Sequence, residues 1–282
     1  KLSELTTPQI QAFYNHLQRE GLASKSVRNI HGILTKCLST AVQVGYLRNN
    51  PASAVTLPKV VKKDIQPLTD EQVRDFLRVS AADEYEILLK VILFTGLRES
   101  EAIGLTWDCI DFKAGTVTIC KQLQKRPLSD GGFTFAPLKN DKTRIIKPAA
   151  SVIALLSRRW KEQTEQRLRA GEAWQGWQSA EERKAALVFT TLTGTNLSPQ
   201  TVYNHYKKLS AQIGAPDSRV YDLRHTFAVL SLQNGDSVKT VQGNLGHATA
   251  AFTLDVYGHV SEKMKEDSAA RMEGYIQGIA NL

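Results

Sequence analysis

From Ile87 to Phe94 the chain reads Ile-Leu-Leu-Lys-Val-Ile-Leu-Phe, apolar in every direction around a helix except at Lys90. A helix with no polar face has to be covered on all sides. No apolar run in the sequence reaches the roughly 18 residues that a membrane span requires. The run therefore predicts a buried helix inside a globular domain, ended by Gly96. A length of 282 residues leaves room for two domains, one small and one larger.

Upstream, Thr7-Pro8 opens a helix carrying Ile10, Phe13 and Leu17, and Gly21 closes it. A second helix starts near Ser24, where Val27, Ile30, Leu34, Cys37, Leu38 and Ala41 recur at helical spacing. Lys25, Arg28, Asn29, Gly32 and Lys36 fall on its opposite face, a polar side with a small residue in its middle that has the form of a DNA-binding surface. Residues 45–67 are rich in turn formers and basic residues, lack periodicity and read as a linker.

Downstream, Thr69-Asp70-Glu71-Gln72 forms a capping box ahead of Val73, Phe76 and Leu77. Strand-prone runs at Thr116–Cys120, Phe133–Phe135 and Arg144–Ile146, separated by Asp130-Gly131-Gly132 and Asn140-Asp141 turns, predict a small antiparallel sheet. Helices are expected near 151–168, 199–213, 221–232, 237–245 and 261–279, with Leu187–Thr191 as a strand-like interruption. The last of these helices brings Met264, Ala269, Met272, Ile276 and Ile279 near one side. Residues 171–183, with Trp174 and Trp177, give no pattern of their own.

The charge is uneven. Residues 1–63 hold nine Lys and Arg against Glu4 and Glu20, so +7 of the chain's net +8 sits in its first part, as expected of a segment that meets nucleic acid. Three cysteines, Cys37, Cys109 and Cys120, form no CxxC pair, which argues against a disulfide framework or a zinc site and suits a reducing cytoplasm. The first residues, Lys1-Leu2, lack both a Met and an apolar leader, so the chain is expected to be part of a longer protein.

No HExxH, Walker glycine loop or GxSxG is present. Phosphodiester chemistry without a metal needs cationic side chains to offset the transition-state charge, a proton donor for the departing oxygen and a nucleophile; arginine suits the first role because its planar fork pairs two phosphate oxygens at once. Arg98 follows a glycine turn at the end of the buried helix. Tyr221, Arg224 and His225 share a helical face through i, i+3 and i+4 spacing. His247 follows Gly246, and Tyr257 comes ten residues later.

In order, TGLRESEAIGL, PLKNDKTRI, YDLRHTFA and LGHATAAFTLDVYGHV resemble the catalytic boxes of the tyrosine recombinase (phage integrase) family, and the hairpin-rich insert is similar to that of integrases of conjugative transposons. The resemblance covers essentially all of residues 1–282. It implies a mostly α, α+β chain: a helical core-site DNA-binding domain over 1–60, a linker over 61–67, and a mixed α/β catalytic domain over 68–282 with a small antiparallel sheet and a C-terminal helix at 261–279. It also implies an arm-binding domain and a first core-binding helix upstream.

Carried over by position, the resemblance implies Arg98 and Arg224 as clamps on the scissile phosphate, with Glu101 orienting one of them. Lys139, with Lys142 as its rival, would protonate the leaving 5′ oxygen, and His247 would hydrogen-bond the phosphate or assist proton transfer. Tyr257 would be the nucleophile, forming a 3′-phosphotyrosine and a free 5′ hydroxyl without ATP, cofactor or metal. The family usually has His where this chain has Tyr221; a phenol can donate a hydrogen bond to phosphate but is a poor proton acceptor near neutral pH, so Tyr221 is expected to position the phosphate. His225 and His259 are expected to pack or cap.

The implied partners are double-stranded DNA at recombination core sites, contacted by Lys25, Arg28, Asn29, Lys36, Lys62 and Lys63, and further copies of the chain in a synaptic tetramer joined through the C-terminal helix. An accessory excision or DNA-bending factor and a bacterial cytoplasmic, nucleoid-associated location fit the same reading, with no membrane involved. Two alternatives remain at this stage: a catalytically silent DNA-binding regulator of the same fold, and a type IB topoisomerase-like enzyme.

Overall fold

A computed structural model describes residues 1–60, 66–130, 132–139, 142–247, 249 and 261–280, with only the backbone described at 130, 261–267 and 280. The chain divides into two compact units, Lys1–Asp64 and Ile65–Leu282.

In the first unit, α1 (Thr7–Arg19) and α2 (Ser24–Gln43) pack around Ile10, Tyr14, Val27, Leu38 and Ala52. Thr6, one residue before the expected cap, starts α1: its backbone N–H donates to Gln9 Oε1 at 2.8 Å. The buried aromatic is Tyr14, fully enclosed and bonded to His31 at 3.1 Å, whereas Phe13 is exposed. Cys37 also lies outside the core, on the exposed edge of the α2 stripe.

The linker expected over 45–67 is corrected in its first half. Leu47, Ala52, Val55 and Leu57 pack on the α1–α2 core, and Asn50 bonds the Thr35 carbonyl and Ser39 Oγ, both at 2.9 Å. Turn formers here close a local fold, since short polar side chains satisfy backbone groups that the turns leave open.

The second unit is built around α4 (Glu86–Thr95), seven of whose ten residues are buried. Lys90, the one charge in that run, is matched by Glu86 Oε1 at 2.6 Å, and Glu86 also pairs with Arg158. Around α4 lie α3 (Asp70–Val79), started by the predicted Thr69–Gln72 box, α5 (Glu99–Ile103), α6 (Ala150–Ala170), α8 (Pro199–Gln212), α9 (Val220–Gln233) and α10 (Val238–Leu245). Leu68 N–H donates to Thr226 Oγ1 at 2.9 Å, tying the start of the unit to α9.

The predicted small antiparallel sheet is present and consists of two ladders. Strands β1 (Ile110–Asp111), β2 (Thr116–Ile119) and β5 (Arg144–Ile146) run in the order β1-β2-β5, while β3 (Lys121–Lys125) pairs with β4 (Phe133–Pro137). Ile119 faces Arg144 and Lys121 faces Pro137, so the single residue Cys120 separates β2 from β3 while residues 138–143 separate β4 from β5. Leu187–Thr191 is not a strand; it makes isolated bridges from Leu187 to Thr106 and from Thr190 to Asn196.

The segment 171–183 belongs to the packing of α6 with α7 (Ala180–Ala185). Trp174 and Trp177 are buried, and the Arg183 guanidinium lies between the rings of Trp160 and Trp177, 3.4 and 4.6 Å from their centroids. The last described element, α11 (Ser261–Ala280), carries exposed Met272, Tyr275, Ile276 and Ile279.

Candidate active site

Two helices end alike. Both α4 and α10 finish on a left-handed glycine, Gly96 at φ 66° and Gly246 at φ 64°, a conformation that costs glycine no side-chain clash. Space demands glycine as well: a Cβ at Gly96 would lie 2.4 Å from Phe227 and 2.6 Å from Leu245. Each turn leads at once to a candidate residue, Arg98 at the N-cap of α5 and His247 directly after Gly246.

Arg224, on α9, joins the two turns. Its Nη1 donates to the Gly96 carbonyl at 2.6 Å and its Nη2 to the Leu245 carbonyl at 2.5 Å. The side chain is 0% exposed, and Nε has no hydrogen-bond partner among the described residues. Burial first, then the like charge of Arg98, pulls its pKa down to about 10, which still leaves it cationic at neutral pH.

Glu101 forms a second junction. Only 1% of its side chain is exposed, and it accepts from Arg98 Nη1 at 2.7 Å, Arg98 N–H at 2.9 Å, and Arg144 Nη1 and Nη2 at 3.1 and 2.6 Å. Burial alone would push this carboxyl up; the hydrogen bonds and charges of Arg144 and Arg98 outweigh it and hold the pKa below the usual carboxylate value. Next to Arg98, Glu99 has a buried Oε1 with no partner among the described residues, and burial lifts its pKa to about 7.

His247 feels the cluster directly. Burial, then the positive charges of Arg224 and Arg98, lowers its pKa to about 4, so the ring is neutral near pH 7 and can donate from one nitrogen while accepting at the other. His225 is 9% exposed, with its pKa also pulled to about 4 mainly by burial, and packs edge-on against Tyr221 at 4.8 Å between ring centroids. Tyr221 itself is 43% exposed.

The structure thus brings Arg98, Glu101, Arg224 and His247 together, with Tyr221 and His225 beside Arg224 on α9. Lys139 and Lys142 are exposed in the sequence between β4 and β5, and the arginine–carboxylate cluster includes neither. Tyr257, His259, Lys62 and Lys63 lie outside the described residues.

Arg144 is the member that sequence reasoning misses. Besides gripping Glu101, its Nε donates to the Asn244 carbonyl at 2.8 Å, so it ties β5 to the end of α10. A signal was available: Arg144 alternates with buried Ile146 on one face of a short strand, and an arginine on an inward face requires a buried acceptor.

The chain is a tyrosine-class site-specific DNA recombinase by family and by fold. The chain belongs to the phage integrase family, which matches residues 66–264. Among its relatives, a XerC-like tyrosine recombinase of Caldanaerobacter subterraneus is 26% identical over 95% of this chain and 71% of that protein. The ICEBs1 integrase of Bacillus subtilis is 26% identical over 96% of this chain and 72% of its own. The fold is similar to that of the Tn1549 transposon integrase in complex with circular intermediate DNA, at a TM-score of 0.76 and 20% identity over 96% of this chain and 86% of that one. A lambda integrase dimer bound to a core site gives a TM-score of 0.62 at 17% identity over 90% and 80%.

Proposed function

We propose that this recombinase integrates and excises a mobile element by cutting each DNA strand with Tyr257, and that Arg98, Arg224 and His247 hold the scissile phosphate while it does so. The observation that carries this reading is the junction of two glycine turns by Arg224, which brings the Arg98 turn, the Arg224 guanidinium and the His247 turn to one place.

In the proposed step the Tyr257 phenolic oxygen attacks phosphorus, the bond to the 5′ oxygen breaks, and a 3′-phosphotyrosine forms. Lys139 gives a proton to the departing 5′ oxygen. A phenol has a reference pKa of about 10, so its attack depends on nearby positive charge and a proton acceptor. Once an anionic phosphate offsets the arginines, the neutral His247 ring becomes more basic and serves as that acceptor or as a hydrogen-bond donor to phosphate. Tyr221, exposed beside Arg224, donates to the phosphate. Arg224 reaches it with the N–H groups its two carbonyls leave free, and because the side chain is covered, DNA engagement has to open the site locally.

The exposed Lys25, Arg28, Asn29 and Lys36 on α2, together with Lys62 and Lys63, contact core-site DNA. The exposed apolar residues Met272, Tyr275, Ile276 and Ile279 support docking of α11 on a neighbouring copy in a tetramer in the cytoplasm. An accessory excision or DNA-bending factor would set the balance between integration and excision.

The test is incubation with nicked suicide DNA followed by a denaturing gel. A covalent adduct is expected with the wild-type chain and none with Tyr257→Phe; an adduct that survives in Tyr257→Phe removes Tyr257 as nucleophile. On intact core-site DNA, deletion of residues 262–282 should abolish synapsis while leaving single-site binding, and undiminished synapsis would sink the docking role.

A further inference from the structure

Cys109 and Cys120 lie with their sulfurs 3.8 Å apart. Cys109 is buried at the end of a short 3-10 helix, Trp107–Cys109, and Cys120 is exposed. A disulfide needs a sulfur separation of about 2.05 Å, so from 3.8 Å the two sulfurs have to close by less than about 2 Å to bond.

The position of Cys120 gives such a bond a consequence. Cys120 is the one residue between β2 and β3, and its neighbours Ile119 and Lys121 pair with Arg144 and Pro137, the residues that flank the segment carrying Lys139. The far ladder is anchored to the site: a Cβ at Gly104, just after α5, would lie 2.5 Å from the Leu123 N–H nitrogen, so β3 rests directly on the helix that Arg98 caps.

We propose that Cys109 and Cys120 are a reversible oxidation site, closed by a small-molecule disulfide such as oxidised glutathione, and that the closed form cuts DNA more slowly. The Cys120 thiolate, being exposed, attacks the small disulfide and releases one thiol. Cys109 then loses its proton and attacks the Cys120 sulfur of the mixed disulfide, releasing the second thiol. Two protein thiols are oxidised and one external disulfide is reduced to two thiols. Burial is the main reason the Cys109 thiol pKa is raised, which keeps its thiolate scarce and leaves the first attack to the exposed Cys120. The cross-link pins the junction of β2 and β3, whose partners Arg144 and Pro137 flank the Lys139 segment, and so limits delivery of a proton to the 5′ oxygen; this consequence rests on the role proposed for Lys139.

The experiment uses the full chain in a Cys37→Ser background, which removes the exposed thiol on α2. After treatment with oxidised glutathione, peptide mapping should find Cys109 joined to Cys120, with the intact mass lower by two hydrogens. Single-turnover cleavage of suicide DNA should fall by roughly tenfold, part of the 10²–10⁴ that a positioned proton donor contributes, and dithiothreitol should restore it. Cys120→Ser should cleave at the reduced-state rate and ignore the oxidant.

Recovery of only glutathione adducts overturns the oxidation site. An internal disulfide with unchanged cleavage overturns its effect on DNA cutting. Lys139→Ala separates the two readings: if it cleaves like wild type while the disulfide still forms and still slows cleavage, the role of Lys139 fails and the oxidation site stands.

Discussion

Arg144 grips Glu101 with both terminal nitrogens, at 3.1 and 2.6 Å, and the carboxylate they share with Arg98 is 1% exposed. Glu101 would keep Arg98 if Arg144 were removed, so the loss is that of a buried charged hydrogen-bond pair, about 1.5–3 kcal/mol, and not of a wholly uncompensated charge. Arg144→Ala should therefore lower unfolding stability by that order in urea titrations and reduce cleavage more than tenfold. Arg144→Lys keeps the charge but loses the planar fork, and should recover only part of each loss. Full cleavage by Arg144→Ala would mean that Arg98 needs no help in holding Glu101.

Gly96 leaves no room for a side chain. Its φ of 66° and the 2.4 Å distance from a built Cβ to Phe227 both oppose substitution. Gly96→Ala should cost more than the about 1 kcal/mol of left-handed strain alone, read from thermal unfolding, and should also impair cleavage because Arg98 and Arg224 both depend on this turn. Gly32 on α2 is the control: nothing lies within 4 Å of a Cβ there, so Gly32→Ala should not lower stability.

Buried histidines predict an acid-side loss of stability. For His225 the pKa is about 4 in the folded chain against 6.5 for the free side chain, so the unfolded chain takes up the proton first as pH falls. The stabilisation is complete above pH 6.5 and is lost as pH drops towards 4, by up to about 1.4 kcal/mol per pH unit for each such histidine. His225→Asn should flatten that slope in denaturant titrations between the two values. An unchanged slope would mean that His225 is already charged when buried.

The polar face of α2 should show itself in salt dependence. If Lys25 and Lys36 each meet one DNA phosphate, Lys25→Ala and Lys36→Ala should each reduce the slope of log affinity against log salt by about 0.9, with equal loss on unrelated sequences. A slope that stays at the wild-type value in both variants would place the DNA contacts elsewhere.

Much of this was legible in the residues themselves. Ile87–Phe94 reads as a buried helix because no side of it is polar, whereas Arg98, Arg224 and His247 are each weak signals singly and stand out through the ordered resemblance of their boxes to those of the recombinase family. Strand β3 was not legible: Lys-Gln-Leu-Gln-Lys offers Leu123 as its single apolar residue, so partner strands rather than pattern decide its state. The fold of 45–57 was hidden because Asn50 and Pro51 signal turns whether or not the turns pack on a core. Full burial of Arg224 was also out of reach, since it depends on two carbonyls 128 and 21 positions away. Trp174 and Trp177 became intelligible only with Arg183 and Trp160 beside them.

Because the ladder from Ile119 to Arg144 and the ladder from Lys121 to Pro137 keep separate registers, the stretch after the buried Leu138 and before Arg144 can change length without sliding either one. Adding or removing residues there would change the reach of the lysine it carries while the pairing of Arg98, Glu101 and Arg144 stayed as it is.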